Sequence, residues 1–138
     1  MSSIIYNSCL SSIFKSTIHF DTDRFKIMLV SSSYKPNKDH SKRSDVLGEL
    51  PTGNGYNLGG LDVNVNIRNE VENNRINVNL GGVTWSNATI TAGGAIYYKV
   101  GHGGRDNDDL ICFVEFDKEA SSVNSSFTIT PSILRVQN

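Results

Sequence analysis

The sequence predicts an all-β protein, an antiparallel β-sandwich with a short helix at its N-terminus. Three observations lead to this prediction: a hairpin of alternating apolar and polar residues, one strand that is apolar on both faces, and further runs rich in β-branched and aromatic residues. At 138 residues, the chain is long enough to bury one substantial core. We therefore interpret residues 1–138 as a single domain, on which a helical segment at residues 1–18 docks.

The hairpin occupies residues 61–80, which read LDVNVNIRNEVENNRINVNL. Apolar and polar side chains alternate along it, and a period of two is typical of a strand with one buried face. Asn73 and Asn74 interrupt the alternation, and asparagine tolerates the positive φ of a tight turn. A two-residue loop at this point predicts that Glu72 lies opposite Arg75 and that Ile67 lies opposite Leu80.

The other strands follow from shorter runs. Residues 24–31 are apolar on both faces and predict a central strand, while residues 95–100 and 110–116 predict a second hairpin around the loop 101–109. Residues 83–85 predict a strand that ends in a turn at residues 86–88. The final strands are predicted at residues 126–130 and 133–136, on either side of Pro131, so the C-terminal segment should belong to a sheet.

Residues 4–18 predict a short helix, because Tyr6, Leu10, Ile13 and Phe14 follow one another at helical spacing. The serines around them lower the helix propensity, so the helix should form by docking on a sheet. Two interpretations remain open at this point. The helix is either a lid over an open end of the core or a binding site for a partner.

The composition excludes several classes of protein. Thirteen basic and fourteen acidic residues leave a formal net charge of -1, which argues against a protein that binds nucleic acid by neutralising phosphates. No apolar run approaches the roughly 18 residues that span a membrane. Cys9 and Cys112 lie far apart in the chain, so we expect two small buried side chains, with neither a zinc site nor a disulfide framework.

The residues needed for catalysis are scattered. His19, His40 and His102 stand in separate segments, and none lies beside a serine or cysteine in a nucleophile motif. We therefore expect a protein that is not an enzyme and that needs no cofactor. An acidic cluster in the loop 101–109 is interpreted as a solvated hairpin tip, with a weak calcium site as the alternative; it consists of Asp106, Asp108 and Asp109.

The most basic part of the chain is a segment without strand character. Its cationic residues are Lys35, Lys38, His40, Lys42 and Arg43. A solvated loop is the simplest explanation of such a segment, and a contact to an acidic partner surface is the alternative.

Four segments taken in order resemble a group of small structural proteins of tailed bacteriophages. They are FKIMLVSSSYKPNKDHSKRSDVLGE (25–49), GYNLGG (55–60), VTWSNATITAGGAIYY (83–98) and VNSSFTIT (123–130). In function, the chain resembles the jelly-roll cement, or decoration, proteins on the capsids of some short-tailed phages. In that group, copies bind the outside of a shell of HK97-like major capsid protein, often as homodimers, and hold neighbouring subunits together.

The resemblance implies a function and a location for this chain. It implies a jelly-roll protein that is made in the cytoplasm of a bacterial host and binds the capsid exterior of the virion. The candidate contacts to the shell are then the N-terminal segment with Tyr6, the hairpin tip with Arg105, and the basic segment with Lys35, Lys38, His40, Lys42 and Arg43. The alternative is a β-sandwich module on a tail or fibre that binds carbohydrate or a host receptor, and such modules expose aromatic side chains.

Overall fold

A computed structural model describes residues 3–137 and contains eight β-strands and one α-helix in that range. The elements in chain order are β1 (Ser3–Ile5), α1 (Asn7–Phe14), β2 (Phe25–Val30), β3 (Leu61–Val63), β4 (Val65–Glu70), β5 (Arg75–Leu80), β6 (Val83–Lys99), β7 (Asp109–Ile129) and β8 (Ser132–Gln137). Short 3₁₀ turns lie at Arg43–Asp45, Val71–Asn73 and Arg105–Asn107.

The strands form two antiparallel sheets that pack on each other. The large sheet has the order β1-β7-β6-β2-β3, and the small sheet has the order β4-β5-β8. The predicted antiparallel sandwich with a short N-terminal helix is therefore confirmed. The second hairpin is confirmed as well, because β6 and β7 pair around the loop that separates them.

One long ribbon supplies strands to both sheets. Leu80 lies opposite Ser132 in the small sheet, and Val83 lies opposite Ile129 in the large sheet, so the strand pairing keeps its register around the corner. Two glycines occupy the corner, Gly81 and Gly82. A Cβ atom on Gly81 would lie 2.7 Å from the carbonyl oxygen of Asn64, and one on Gly82 would lie closer still to the carbonyl oxygen of Ile129. Both distances are shorter than atoms approach without a clash. Glycine is thus needed where the ribbon passes from one sheet to the other.

Both faces of the large sheet are covered. Its inner face packs against the small sheet around residues such as Ile27, Leu29 and Tyr97. Its outer face carries a second cluster with Met28 and Val30, which residues from the long segment between β2 and β3 cover. The prediction of a central strand at residues 24–31 is therefore confirmed, because β2 is buried on both sides.

The predicted hairpin at residues 61–80 is correct in type and wrong in register. The pairing joins Glu70 to Arg75 and Ile67 to Val78, so the loop contains four residues, Val71–Asn73 in a 3₁₀ turn and Asn74 in the left-handed region. The two registers differ by two residues, and both place the same side chains on the same face. The run also divides at Asn64, because β3 belongs to the large sheet and β4 to the small one.

The N-terminal helix is shorter than predicted, and its core-facing side differs from the prediction. Strand β1 precedes it, and Tyr6 lies between the two elements as the N-cap residue. The buried helical side chain is Cys9, which joins the core between the sheets. Cys9 and Cys112 are free and buried, as predicted.

The turn predicted at residues 86–88 does not interrupt the strand. Residues Val83–Lys99 form one continuous strand, and its pairing with β7 shifts register between Trp85 and Ala88. Asn87 has a φ of 50°, which marks the irregular position. Asparagine tolerates this conformation in a β-bulge as well as in a turn, so the sequence signal was the same for both.

Candidate interaction surfaces

Tyr6, a predicted contact residue, belongs to the interior. Its side chain has no exposed surface, and its hydroxyl group lies 2.8 Å from the hydroxyl group of Tyr34. Burial raises the pKa of the Tyr6 phenol far above its usual value, and the hydrogen bond to Tyr34 adds to this effect. The Tyr34 hydroxyl also lies 3.1 Å from Nδ1 of His40, which is half-buried. This chain of hydrogen bonds attaches the basic segment to the outer face of the large sheet.

Arg43 is also enclosed. Its Nε lies 3.0 Å from Oδ2 of Asp108 without a well-aimed hydrogen bond, and its Nη1 lies 3.9 Å from Oε1 of Glu49. The guanidinium group sits over the ring of Tyr98, with 5.3 Å between Cζ and the ring centroid. Since the carboxylates of Asp108 and Glu49 are almost completely buried, Arg43 is the cation that compensates them.

Lys42 and Arg105 hold the hairpin tip against the basic segment. The ammonium group of Lys42 forms an ion pair with Asp109, and Nη2 of Arg105 donates to the carbonyl oxygen of Val46 at 3.2 Å. The acidic cluster is therefore divided, because Asp108 and Asp109 face different cations. Within residues 3–137, no group of three His, Cys, Asp or Glu side chains is placed to hold a metal ion.

Lys35 and Lys38 differ from the other predicted contact residues. Both are exposed, and neither ammonium group has an ion-pair or hydrogen-bond partner in the part of the chain that the structure describes. The carbonyl oxygen of Lys38 accepts a hydrogen bond from the backbone N–H of Asn7 at 2.9 Å. The next residue, Asp39, accepts one from the Asn7 side chain. These bonds place Lys38 beside the first residue of α1, and Lys35 stands three residues earlier in the same segment.

Helix α1 exposes three apolar side chains. Leu10 is 44% exposed, Ile13 is 39% exposed and Phe14 is 89% exposed, although Cys9 in the same helix is buried. These three residues have the i, i+3, i+4 spacing that places side chains on one face of a helix. We call Leu10, Ile13 and Phe14, together with Lys35 and Lys38, the helix surface. The predicted stripe of Tyr6, Leu10, Ile13 and Phe14 does not form the docking face of the helix: Tyr6 precedes the helix and is buried, and the other three side chains face solvent.

A comparison with protein-family models, with curated proteins and with solved structures found no match to this chain. Among the described residues, no helix combines the length and the apolar character that are needed to cross a membrane.

Proposed function

We propose that this protein is a structural component of a bacteriophage virion. In this proposal it binds the outside of the capsid shell as a homodimer and joins neighbouring subunits of an HK97-like major capsid protein, as a jelly-roll cement protein does. The observation that carries the proposal is the helix surface, where three apolar side chains of α1 are exposed and the segment with two unpaired cations is hydrogen-bonded to the start of that helix. The resemblance of the four segments to phage structural proteins supplies the identity of the partner.

The chemistry of the helix surface suits adhesion. An apolar side chain such as Phe14, which is almost entirely in water, gains free energy only when another surface covers it. Apolar anchors at i, i+3 and i+4 are the pattern with which helices occupy grooves on partners. Lys35 and Lys38 add attraction to acidic groups, which salt weakens. On a symmetric shell, many such weak contacts act together, and the effective concentration rises with each one.

The alternative, a tail or fibre module for carbohydrate or a receptor, has less support. Such a module would be expected to present aromatic rings on one sheet face. Trp85, Tyr97 and Tyr98 are the aromatic residues of β6, and all three are buried. The exposed aromatic ring of Phe14 lies on the helix surface instead.

Sedimentation with capsids from which the protein has been stripped tests the proposal. The double variant Leu10→Ser, Phe14→Ser should remain in the supernatant, while the unmodified chain should sediment with the particles. Val123→Ser is the matched control, since Val123 is also a large exposed side chain but lies on β7. Equal sedimentation of the double variant and the control would contradict the role of the helix surface.

The cations of the helix surface have a separate test. The double variant Lys35→Ala, Lys38→Ala should bind more weakly at low salt, and its binding should depend less on salt than that of the unmodified chain. The readout is the bound fraction at a series of sodium chloride concentrations. An unchanged salt dependence would remove these two lysines from the proposed contact.

A further inference from the structure

An apolar slot opens between the two sheets along one side of the sandwich. Its volume is about 760 Å³, within the range of roughly 300–1,000 Å³ that is typical of binding sites. The large sheet contributes Val114, Phe116, Phe127 and Ile129, and the small sheet contributes Leu80 and Leu134. These side chains belong to the core between the sheets or pack against it, so the slot is a continuation of that core toward solvent.

Two strand edges border the slot. Strand β1 pairs with residues 112–114 of β7, and beyond that point β7 has no further strand on this side within residues 3–137. Strand β8 pairs with β5 on one side, and its other edge is the border of the small sheet. Backbone N–H and C=O groups on such edges lack strand partners, which makes an edge a template for another chain.

The two edges differ in charge. Glu115, Asp117, Lys118 and Glu119 follow the paired part of β7, and charged residues on an edge are a common protection against strand addition. Strand β8, with the sequence SILRVQ, carries a single charge, Arg135. The Arg135 guanidinium donates to Oδ1 of Asn77 at 2.9 Å, so its charged group is engaged with the neighbouring strand of its own sheet.

We propose that the slot binds an extended, uncharged polypeptide segment of a partner protein. This segment has apolar side chains at alternate positions, and it pairs as an additional strand with the free edge of β8. The added strand would extend the small sheet from three strands to four. Its apolar side chains would enter the slot beside Phe116 and Leu134, and its other side chains would face solvent. An acyl chain would fit the apolar walls but would leave the backbone groups of β8 unpaired, which is why the geometry favours a peptide. This inference does not rest on the proposed function, because it concerns a different surface from the helix surface.

The length of β8 defines the probe. Ser132–Gln137 contains six residues, so the probe is a capped hexapeptide of alternating threonine and valine. Its binding would be followed by calorimetry, and by NMR on the isotopically labelled full chain, where the amide signals of β8 should shift. Two further peptides keep the same side chains and carry N-methyl groups on alternate backbone amides, one peptide for each of the two sets of amides that could face β8. The peptide whose methylated amides face β8 should bind at least about tenfold more weakly, a difference that corresponds to the loss of backbone pairing.

Two apolar residues of the small sheet provide matched variants. Leu134 on β8 lines the slot, while Ile67 on β4 is 48% exposed and does not line it. Leu134→Arg should reduce peptide affinity by at least about tenfold, and Ile67→Arg should change it by less than about threefold. Because Leu134→Arg could also destabilise the fold, Ala120→Phe, which fills the slot from the large sheet, is the second blocking variant, and thermal unfolding of all variants is measured alongside.

The outcomes separate the alternatives. Binding of the plain peptide, loss on N-methylation and loss in both blocking variants would support the proposal. Equal binding of the plain and N-methylated peptides would overturn it, because side chains alone would then account for the affinity. Binding of decanoate without binding of the peptide would also overturn it, and would assign the slot to an acyl chain. Absence of peptide binding at millimolar concentration would overturn it as well.

Discussion

The two sheets use the same alternation of side chains for different purposes. In the large sheet, Ile27 and Leu29 face the small sheet, Met28 and Val30 face the outer cluster, and all four are fully buried. In the small sheet, Val78 is buried, but Ile67, directly opposite it on β4, is 48% exposed. The central strand β5 of the small sheet therefore covers the core at this level, while the edge strand β4 leaves its apolar side chain half in water. This comparison indicates that the large sheet provides the stability of the fold. Exposed apolar side chains outside it remain available for contacts with a partner.

Removal of Arg43, which lies over the ring of Tyr98 in the large sheet, should have the largest effect on stability. Arg43→Ala should lower the free energy of unfolding by about 3–5 kcal/mol, because it leaves the buried carboxylates of Asp108 and Glu49 without a cation. The control is Arg68→Ala on β4, where the exposed side chain should contribute less than about 0.5 kcal/mol. Urea denaturation followed by circular dichroism measures both, and similar losses would contradict the comparison.

Truncation of one isoleucine in each sheet compares them directly. Ile27→Ala in the large sheet should cost about 2–5 kcal/mol, since it creates a cavity in a part of the core that is fully buried. Ile67→Ala in the small sheet should cost less than about 1 kcal/mol, because half of that side chain is already in water. Both values come from the same urea experiment. If Ile67→Ala cost as much as Ile27→Ala, the edge strand β4 would be more tightly packed than the exposure of Ile67 indicates.

Alkaline pH should act on the large sheet through its tyrosines. Burial raises the pKa of Tyr97 to about 12, and burial likewise raises that of Tyr98 to about 12. A phenol whose pKa is raised in the folded state contributes stability that is fully present below the unfolded value, near 10, and is lost as the pH rises through about 12. We expect about 3 kcal/mol of lost stability for the two residues between about pH 9 and about pH 11.

Phenolate absorbance provides the measurement for the tyrosines. The two rings should ionise well above the pH at which a free tyrosine does, and their ionisation should coincide with the loss of near-ultraviolet circular dichroism. Ionisation of all tyrosines near their ordinary pKa in the folded protein would show that the large sheet is more accessible than the structure indicates.

The smallest effect is expected on the helix surface. Phe14→Ser should change the free energy of unfolding by less than about 0.5 kcal/mol, because the ring is almost entirely in water. Thermal unfolding of this variant and of the unmodified chain should therefore give nearly the same midpoint. A large loss of stability would mean that Phe14 packs on the molecule itself, and the helix surface would then lose its main anchor.

The strands were predictable because alternation and β-branched runs are local signals. The register of the hairpin was not, since shifts by two residues preserve the face of every side chain from Val65 to Leu80. The choice between a two-residue and a four-residue loop depended on the backbone of Val71–Asn73, to which the apolar pattern is insensitive. The passage of the chain between sheets at Asn64 and at Gly81–Gly82 is likewise a tertiary feature.

The candidate surfaces were predictable only in part. The sequence identified the basic segment, but a cation in a sequence looks the same whether it faces water, as Lys38 does, or compensates buried carboxylates, as Arg43 does. The helical stripe identified Leu10 and Phe14 as a pair on one face, but which face meets the core depends on how the helix docks, and Cys9 occupies that position. The slot between the sheets had no sequence signal, because it arises where β7 extends past its short partner β1.

The proposed function requires that a phage genome encodes this protein, and its most direct test is a count of the protein in purified virions of that phage. Quantitative mass spectrometry against the major capsid protein gives the number of copies per particle. The proposal predicts hundreds of copies, which are released when the particles are stripped of their outer proteins. A handful of copies would place the protein at a single vertex or tail, and its absence from the virion would contradict the proposed function altogether.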